Sequence, residues 1–346
     1  MTGFQLIDNK AFEYYRKSWF ADAAILFREA SNLPGITDRQ RFTAKRWMGA
    51  CYYITGQYAE ALEQFGEILK VCQNDERYHD LACLTLEYQI HTFVAIADIK
   101  NSHTKYLQVL SEIDKSLSWF TDVRKERYRH SILSDKARVL GKMGNISQAF
   151  DCAEKAYAEK KNYNGGFYNG HYVKLVAKYA RLLGSQERAL EVLKGYRDDE
   201  DDPHTRVQVM TEWIRLLLGM TPPHISEALT VAMKIQDLTK RIQSPLNKLV
   251  AHGEIGQVYI RAGIYTDALI CFQVVRDIAV MDNQNHQRLL LMRAQEYLNC
   301  ASSLLTQDID DRADNLMSRL SEFSKEIEMV LNRKLIVNTS TPGTRI

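Results

Sequence analysis

Proline is scarce in this chain, with six in 346 residues. A sequence with so few helix breakers is free to run in long helices. Sustained alternation of apolar and polar residues between turn signals is missing too, which leaves β structure without a claim. No apolar run approaches the roughly 18 residues that a membrane-spanning helix requires. The opening MTGFQLIDNKAFEYYRK carries an acid early and has no apolar core of signal-peptide length. The expected location is therefore cytoplasmic, with a nuclear one left open, and no membrane partner is expected. Excess charge is absent as well: 45 Lys and Arg face 43 Asp and Glu, a net +2. That balance argues against nucleic acid as a partner of the whole surface.

The six cysteines, Cys51, Cys72, Cys83, Cys152, Cys271 and Cys300, contain no CxxC pair. Most sit in apolar helical contexts and read as buried free thiols in a reducing compartment. Catalytic signatures are equally missing. HExxH, GxSxG and the GxxxxGK phosphate loop do not occur. His252-Gly253-Glu254 matches the HxE of zinc deaminases, but no PCxxC follows, so a zinc would lack its thiolates. The nine histidines include no pair at ligand spacing. No cofactor, no metal and no enzymatic activity are expected.

What the chain does have is a recurring hairpin. Its clearest copy is Arg46–Leu69, RWMGACYYITGQYAEALEQFGEIL. Gly49 and Tyr52, then Tyr58, Ala61 and Phe65, fall at helical spacings on either side of Gly56, where a positive φ would end the first helix. Equivalent alanines are Ala23, Ala61, Ala149, Ala189, Ala228 and Ala268, separated by 38, 88, 40, 39 and 40 residues. The 88 is two repeats with an unmarked third unit between, about Tyr78–Ile99 and His103–Phe120. The sixth unit carries an insertion at 219–223, and the eighth, about Gln284–Leu305 and Ile309–Leu331, has a polar second helix suited to capping an array. The sequence predicts an all-α fold of about eight antiparallel helix hairpins over residues 1–335. A polar tail, 336–346, is expected to be disordered.

The pattern GxxYxxxGxYxxAxxxF, present as Gly49–Phe65 and Gly256–Phe272, resembles the tetratricopeptide repeat, although the period near 40 exceeds that family's usual 34. The resemblance covers roughly residues 4–335 and implies a right-handed α-solenoid. It also implies that the first helices of successive repeats line a concave groove for a partner segment. The groove offsets, applied to repeats one, two, four, five and seven, pick out 25 positions, of which eight are Lys or Arg and one, Asp8, is acidic. Arg16, Lys142, Arg181 and Arg261 fall in last helical turns, where the macrodipole alone favours a cation. Arg46, Arg138, Lys174 and Lys178 sit mid-helix and need another account, and Arg138, Lys174 and Lys178 come from adjacent repeats with His171 nearby.

The expected ligand-binding residues are therefore Arg46, Tyr53, Arg138, Lys142, His171, Lys174, Lys178, Arg181, Gln257 and Arg261. Tyr15, Tyr53 and either Phe12 or Tyr168 would serve as apolar anchors. The partner implied is an acidic or carboxylate-bearing protein segment, and the chain reads as an adaptor or scaffold in a multi-protein complex. The alternative is a peptide-gated regulatory solenoid; with repeats starting near residue 4, its effector would be a separate chain. An enzyme subunit is the third reading. Two loops stand outside this scheme: the Gly-rich Asn164–His171, with backbone N–H groups that could hold an anion, and the acidic run Asp198–Asp202.

Overall fold

The computed structural model describes residues 3–16, 19–100, 102–163, 170–197, 201–242, 244–281, 287–306 and 311–339. The described residues are helical throughout apart from turns, and they divide into two compact units, 1–167 and 168–346.

The first unit has four helix pairs: α1 (Gly3–Arg16) with α2 (Phe20–Asn32), α3 (Asp38–Ile54) with α4 (Tyr58–Cys72), α5 (His79–Lys100) with α6 (His103–Asp122), and α7 (Arg129–Lys142) with α8 (Ile146–Tyr163). The second has four more: α9 (Gly170–Leu182) with α10 (Gln186–Lys194), α11 (Pro203–Gly219) with α12 (Ile225–Thr239), α13 (Pro245–Arg261) with α14 (Tyr265–Met281), and α15 (Gln287–Leu305) with α16 (Asp311–Thr339). The unmarked third pair is thus real, with helices of 22 and 20 residues, which accounts for the doubled spacing. The insertion at 219–223 lies between α11 and α12 as expected. Residues 336–339 of the expected tail continue α16, and 340–346 lie outside the described residues.

The hairpins close as their glycines suggest. Gly56 adopts φ of 80°, and the amides of Gly56 and Gln57 donate to the carbonyls of Tyr53 and Tyr52 at 3.1 and 2.8 Å. This is the Schellman arrangement, which satisfies the last carbonyls of α3 and needs a residue at ease with positive φ. The same pair of bonds recurs after α7, α9 and α13. Helix starts are fixed by side chains. Thr37 and Gln40 form a capping box at α3, while Asp202 and Ser244 cap α11 and α13 ahead of a proline at the first helical position.

The repeat-defining residues are packing residues. All six register alanines are fully buried. A Cβ on Gly49 would come within 2.5 Å of the Phe65 ring, and one on Gly256 within 2.8 Å of Phe272. Only glycine lets the paired helices close to the distance that these rings fill. The odd-numbered helices also pack on one another, α3 on α5 and α5 on α7 in the first unit, and α9 on α11, α11 on α13 and α13 on α15 in the second. Each unit therefore has a layer of first helices and a layer of second helices, and the first-helix layer carries the candidate site.

Candidate functional site

In the first unit the first-helix layer carries a cluster of rings and charges. Arg46, on α3, is only 7% exposed. Its guanidinium lies over the Trp47 ring at 4.5 Å and the Tyr88 ring at 5.8 Å. Its Nε has no hydrogen-bond partner, and no carboxylate of the described residues lies within ion-pair distance. Burial acts against its charge, while Tyr88 and Glu87 favour it. Glu87 does not close onto Arg46, because its Oε1 accepts a hydrogen bond from Ser131 Oγ at 2.7 Å.

Beside this cation Tyr15 and Tyr88 lie close enough to influence each other, and burial raises both phenols above their ordinary range. Tyr53 stacks on His91, with centroids 6.2 Å apart, and meets Tyr88 edge-on. His91 Nε2 stands 2.9 Å from Asp135 Oδ2, and Arg138 Nη1 donates to Asp135 Oδ1 at 3.0 Å. Burial pulls the His91 imidazole down, but the Asp135 carboxylate outweighs it and holds His91 above its ordinary pKa. Lys142, at the exposed end of α7, reaches to 3.8 Å from Asp98. Phe12, expected as an anchor, instead packs edge-on against Phe27 and Trp47 in the core.

The second unit handles charge differently. Across α9, α11 and α13 there are seven Lys or Arg (Lys174, Lys178, Arg181, Arg206, Arg215, Lys248, Arg261) and two carboxylates, Glu212 and Glu254. Both carboxylates are buried, at 2% and 3% exposure. Arg181 Nε donates to Glu212 at 2.7 Å. Arg215 Nη1 lies 3.3 Å from the same carboxylate, and Arg215 Nε donates to Glu254 at 2.6 Å. The Tyr297 hydroxyl donates to Glu254 at 2.8 Å and accepts from Arg215 Nη2 at 3.1 Å. Burial acts against the Arg215 charge, but the two carboxylates outweigh it and push its pKa up.

Beside this network runs a ladder of neutral and cationic groups. Lys174 Nζ donates to Gln208 Oε1 at 2.6 Å, Gln208 to Asn247 at 3.3 Å, and the Asn247 amide meets His204 Nδ1 at 3.3 Å. Lys178 lies 5.1 Å over the Tyr179 ring. The second helices α10, α12 and α14 carry the opposite bias, with Glu187, Glu191, Glu227, Asp237, Asp267 and Asp277 against Arg188, Lys194, Lys234 and Arg276.

The expected site residues thus fall into two groups. Arg46, Tyr53, Arg138 and Lys142 belong to the first unit. His171, Lys174, Lys178, Arg181, Gln257 and Arg261 belong to the second. Their surroundings alter the count of eight cations to one acid. Asp135 and Glu254 occupy the place two residues before the small packing residue, Ala137 or Gly256, which the groove offsets skip. Arg181 therefore has a buried carboxylate as its partner and not only a helix terminus. Arg215 was missed because repeat six has Ile214 in place of a small packing residue; three residues after Glu212, it occupies the same place as Arg138, Lys178 and Gln257. Of the two loops, 164–169 and 198–200 lie outside the described residues. Asp201 accepts from the Gly170 amide at 2.7 Å and from the Tyr196 hydroxyl at 2.9 Å, and Asp202 caps α11, so both have structural work.

Thiol chemistry is closed to most cysteines. Burial pushes the Cys51, Cys83 and Cys271 thiols up to about 12, far from the thiolate that a nucleophile requires. Glu254 of the HxE triplet is tied to Arg215 and Tyr297. Among the described residues no cluster of three His, Cys, Asp or Glu side chains could hold a metal, and no helix is long and apolar enough to cross a membrane.

No protein-family model matches the sequence, and no curated protein matches it significantly. Solved structures match it by shape. The apo form of RapI superposes with a TM-score of 0.58 at 12% identity, over 80% of this chain and 97% of that one. A tetratricopeptide repeat protein from Parabacteroides merdae gives 0.51 at 10% identity, over 84% and 98%. The APC/C hetero-tetramer Cut9–Hcn1 gives 0.51 at 14% identity, over 92% and 57%. These likenesses, together with paired antiparallel helices, glycine-closed hairpins and a buried Gly–Phe pair in the two clearest repeats, make this an all-α, tetratricopeptide-like helical-repeat fold.

Proposed function

We propose that the chain is a non-catalytic interaction module, an adaptor or scaffold that holds an acidic protein segment along α9, α11 and α13. The observation that carries this reading is the separation of charge in the second unit. α9, α11 and α13 bear a surplus of Lys and Arg, and their two carboxylates are buried and already engaged by Arg181 and Arg215. Seven cations against two carboxylates leave these three helices net positive, and on their half-exposed surface stand Lys178 and Lys174, the latter bonded to the Gln208 amide that continues to Asn247. Amides in a row suit an extended backbone, and lysines suit the acids it carries. Exposed ion pairs contribute only about 0–1 kcal/mol each, so affinity would be a sum over the ladder. The Cut9–Hcn1 assembly shows a protein of similar fold joined to a partner chain. A cytoplasmic location and membership of a larger complex belong to the same proposal.

The test is capture of partners by the full chain, read by mass spectrometry. Lys174→Glu combined with Lys178→Glu is expected to abolish capture of acidic partners while the far-UV helical signal stays intact. Raising salt should weaken capture in the wild type, since exposed charge is screened over ~10 Å at 0.1 M. Capture that survives both the double variant and salt would overturn the proposal.

A further inference from the structure

The first unit contains a charge with no match. A buried guanidinium is normally held by a carboxylate or by several acceptors, because a charge taken out of water without partners is costly. Arg46 has neither. Its Nε is without a partner, its guanidinium lies over the faces of Trp47 and Tyr88, and Glu87, the acid that favours its charge, is bonded to Ser131. Ring faces compensate part of a desolvated cation, but they supply no acceptor for its N–H groups. Another cation of this face, Arg138, is by contrast bonded to Asp135. Tyr15 and Tyr88 beside Arg46, and Tyr53 against Tyr88, are half-exposed, so an incoming group meets aromatic surface first and the cation behind it.

We propose that Arg46 is the centre of an anion-recognition seat, and that its ligand is a carboxylate or phosphate carried on a flat, apolar body. The anion supplies the acceptors that the guanidinium lacks, and the body lies against the tyrosine rings. The chemistry is shared by a free aromatic acid and by the last residue of a protein segment that ends in an aromatic side chain. Lys174 and Lys178 belong to the other unit and take no part, so this seat stands or falls apart from the acidic-segment reading.

Isothermal titration calorimetry on the full chain tests it with phenyl phosphate, benzoate, benzyl alcohol and a short peptide ending in phenylalanine, as free acid and as amide. Phenyl phosphate, benzoate or the free-acid peptide is expected to bind saturably, and benzyl alcohol and the amide are not. Tighter binding of the free-acid peptide than of benzoate assigns the seat to a protein terminus, and the reverse assigns it to a small acid. Arg46→Met should weaken the binding probe by at least about tenfold, as the loss of one charge-assisted contact does. Should Arg46→Met lose the helical signal, Glu87→Gln decides. It leaves Arg46 and its rings in place, removes the adjacent negative charge, and should tighten binding severalfold. No saturable binding by any anionic probe, unchanged affinity in Arg46→Met, or no tightening in Glu87→Gln as the deciding variant overturns the proposal.

Discussion

The two units solve one problem in opposite ways. Both must bury part of a polar first-helix layer. The first unit does so with rings: Tyr15, Trp47, Tyr53 and Tyr88 surround its charges, and Arg46 is left with ring faces alone. The second does so with counter-charges: Arg181, Glu212, Arg215, Glu254 and Tyr297 form a bonded chain through α9, α11, α13 and α15. A ring face tolerates a missing ligand at modest cost, whereas a buried ion pair tolerates no missing member. On the readings proposed above, the first unit leaves a cation waiting for a ligand, while the second needs its network complete and leaves recognition to the half-exposed lysines beside it.

The sharpest way to break this comparison is Arg215→Met. It leaves Glu254 buried with only the Tyr297 hydroxyl, and Glu212 with only Arg181. Removing one member of a buried pair typically costs about 3–5 kcal/mol, so denaturant unfolding should show a loss of that size. Arg46→Met removes an arginine that is more deeply buried than Arg215, but one with no carboxylate to orphan, and should cost far less. Equal losses in the two variants would erase the distinction between the units.

A smaller effect separates two tight helix contacts. Gly49→Ala would place a Cβ 2.5 Å from the outer edge of the Phe65 ring, which can swing. Gly253→Ala would meet Tyr297 at its root, within 2.6 Å of Cγ, where the ring cannot move without the backbone. Overpacking costs about 1–3 kcal/mol, and Gly253→Ala is expected at the upper end because it also drags the Tyr297 hydroxyl from Glu254. Thermal melts of the two variants check the order.

The framework was legible because packing repeats. Alanines fully buried at fixed intervals and glycines facing Phe65 and Phe272 are dictated by the same close approach in each pair, so periodicity reported them. The site was less legible because its partners come from other repeats. Ser131 bonds Glu87, 44 residues away; Lys174 bonds Gln208, 34 away; Arg215 meets Tyr297, 82 away. The groove offsets named Arg46, Arg138 and Arg181 but could not say that one is unpaired and the other two are held by Asp135 and Glu212. In α5 and α11, which lack marker glycines, even the register was hidden, and with it Tyr88, His91 and Arg215.

The smallest expected effect is on pH, within the first unit. Asp135 holds His91 above its ordinary pKa, whereas burial, and then Lys160, push His130 down to about 4. The signs are opposite. A raised folded pKa contributes stability that is fully present below the unfolded value, about 6.5, and is lost as pH rises through the folded one. A lowered folded pKa contributes above about 6.5 and is lost as pH falls toward 4. Loss as pH rises above the ordinary histidine range therefore belongs to His91, and acid loss to His130. His91→Gln keeps a donor near Asp135 without a titratable charge, and should flatten the alkaline limb of the melting profile by about 1 kcal/mol while leaving the acid limb unchanged. His130→Gln should do the converse. Arg215→Met should instead cost more at high pH than at low pH, because the orphaned, buried Glu212 and Glu254 carboxylates escape part of the penalty by taking up a proton. A loss independent of pH in that variant would mean that these carboxylates do not depend on Arg215 as described.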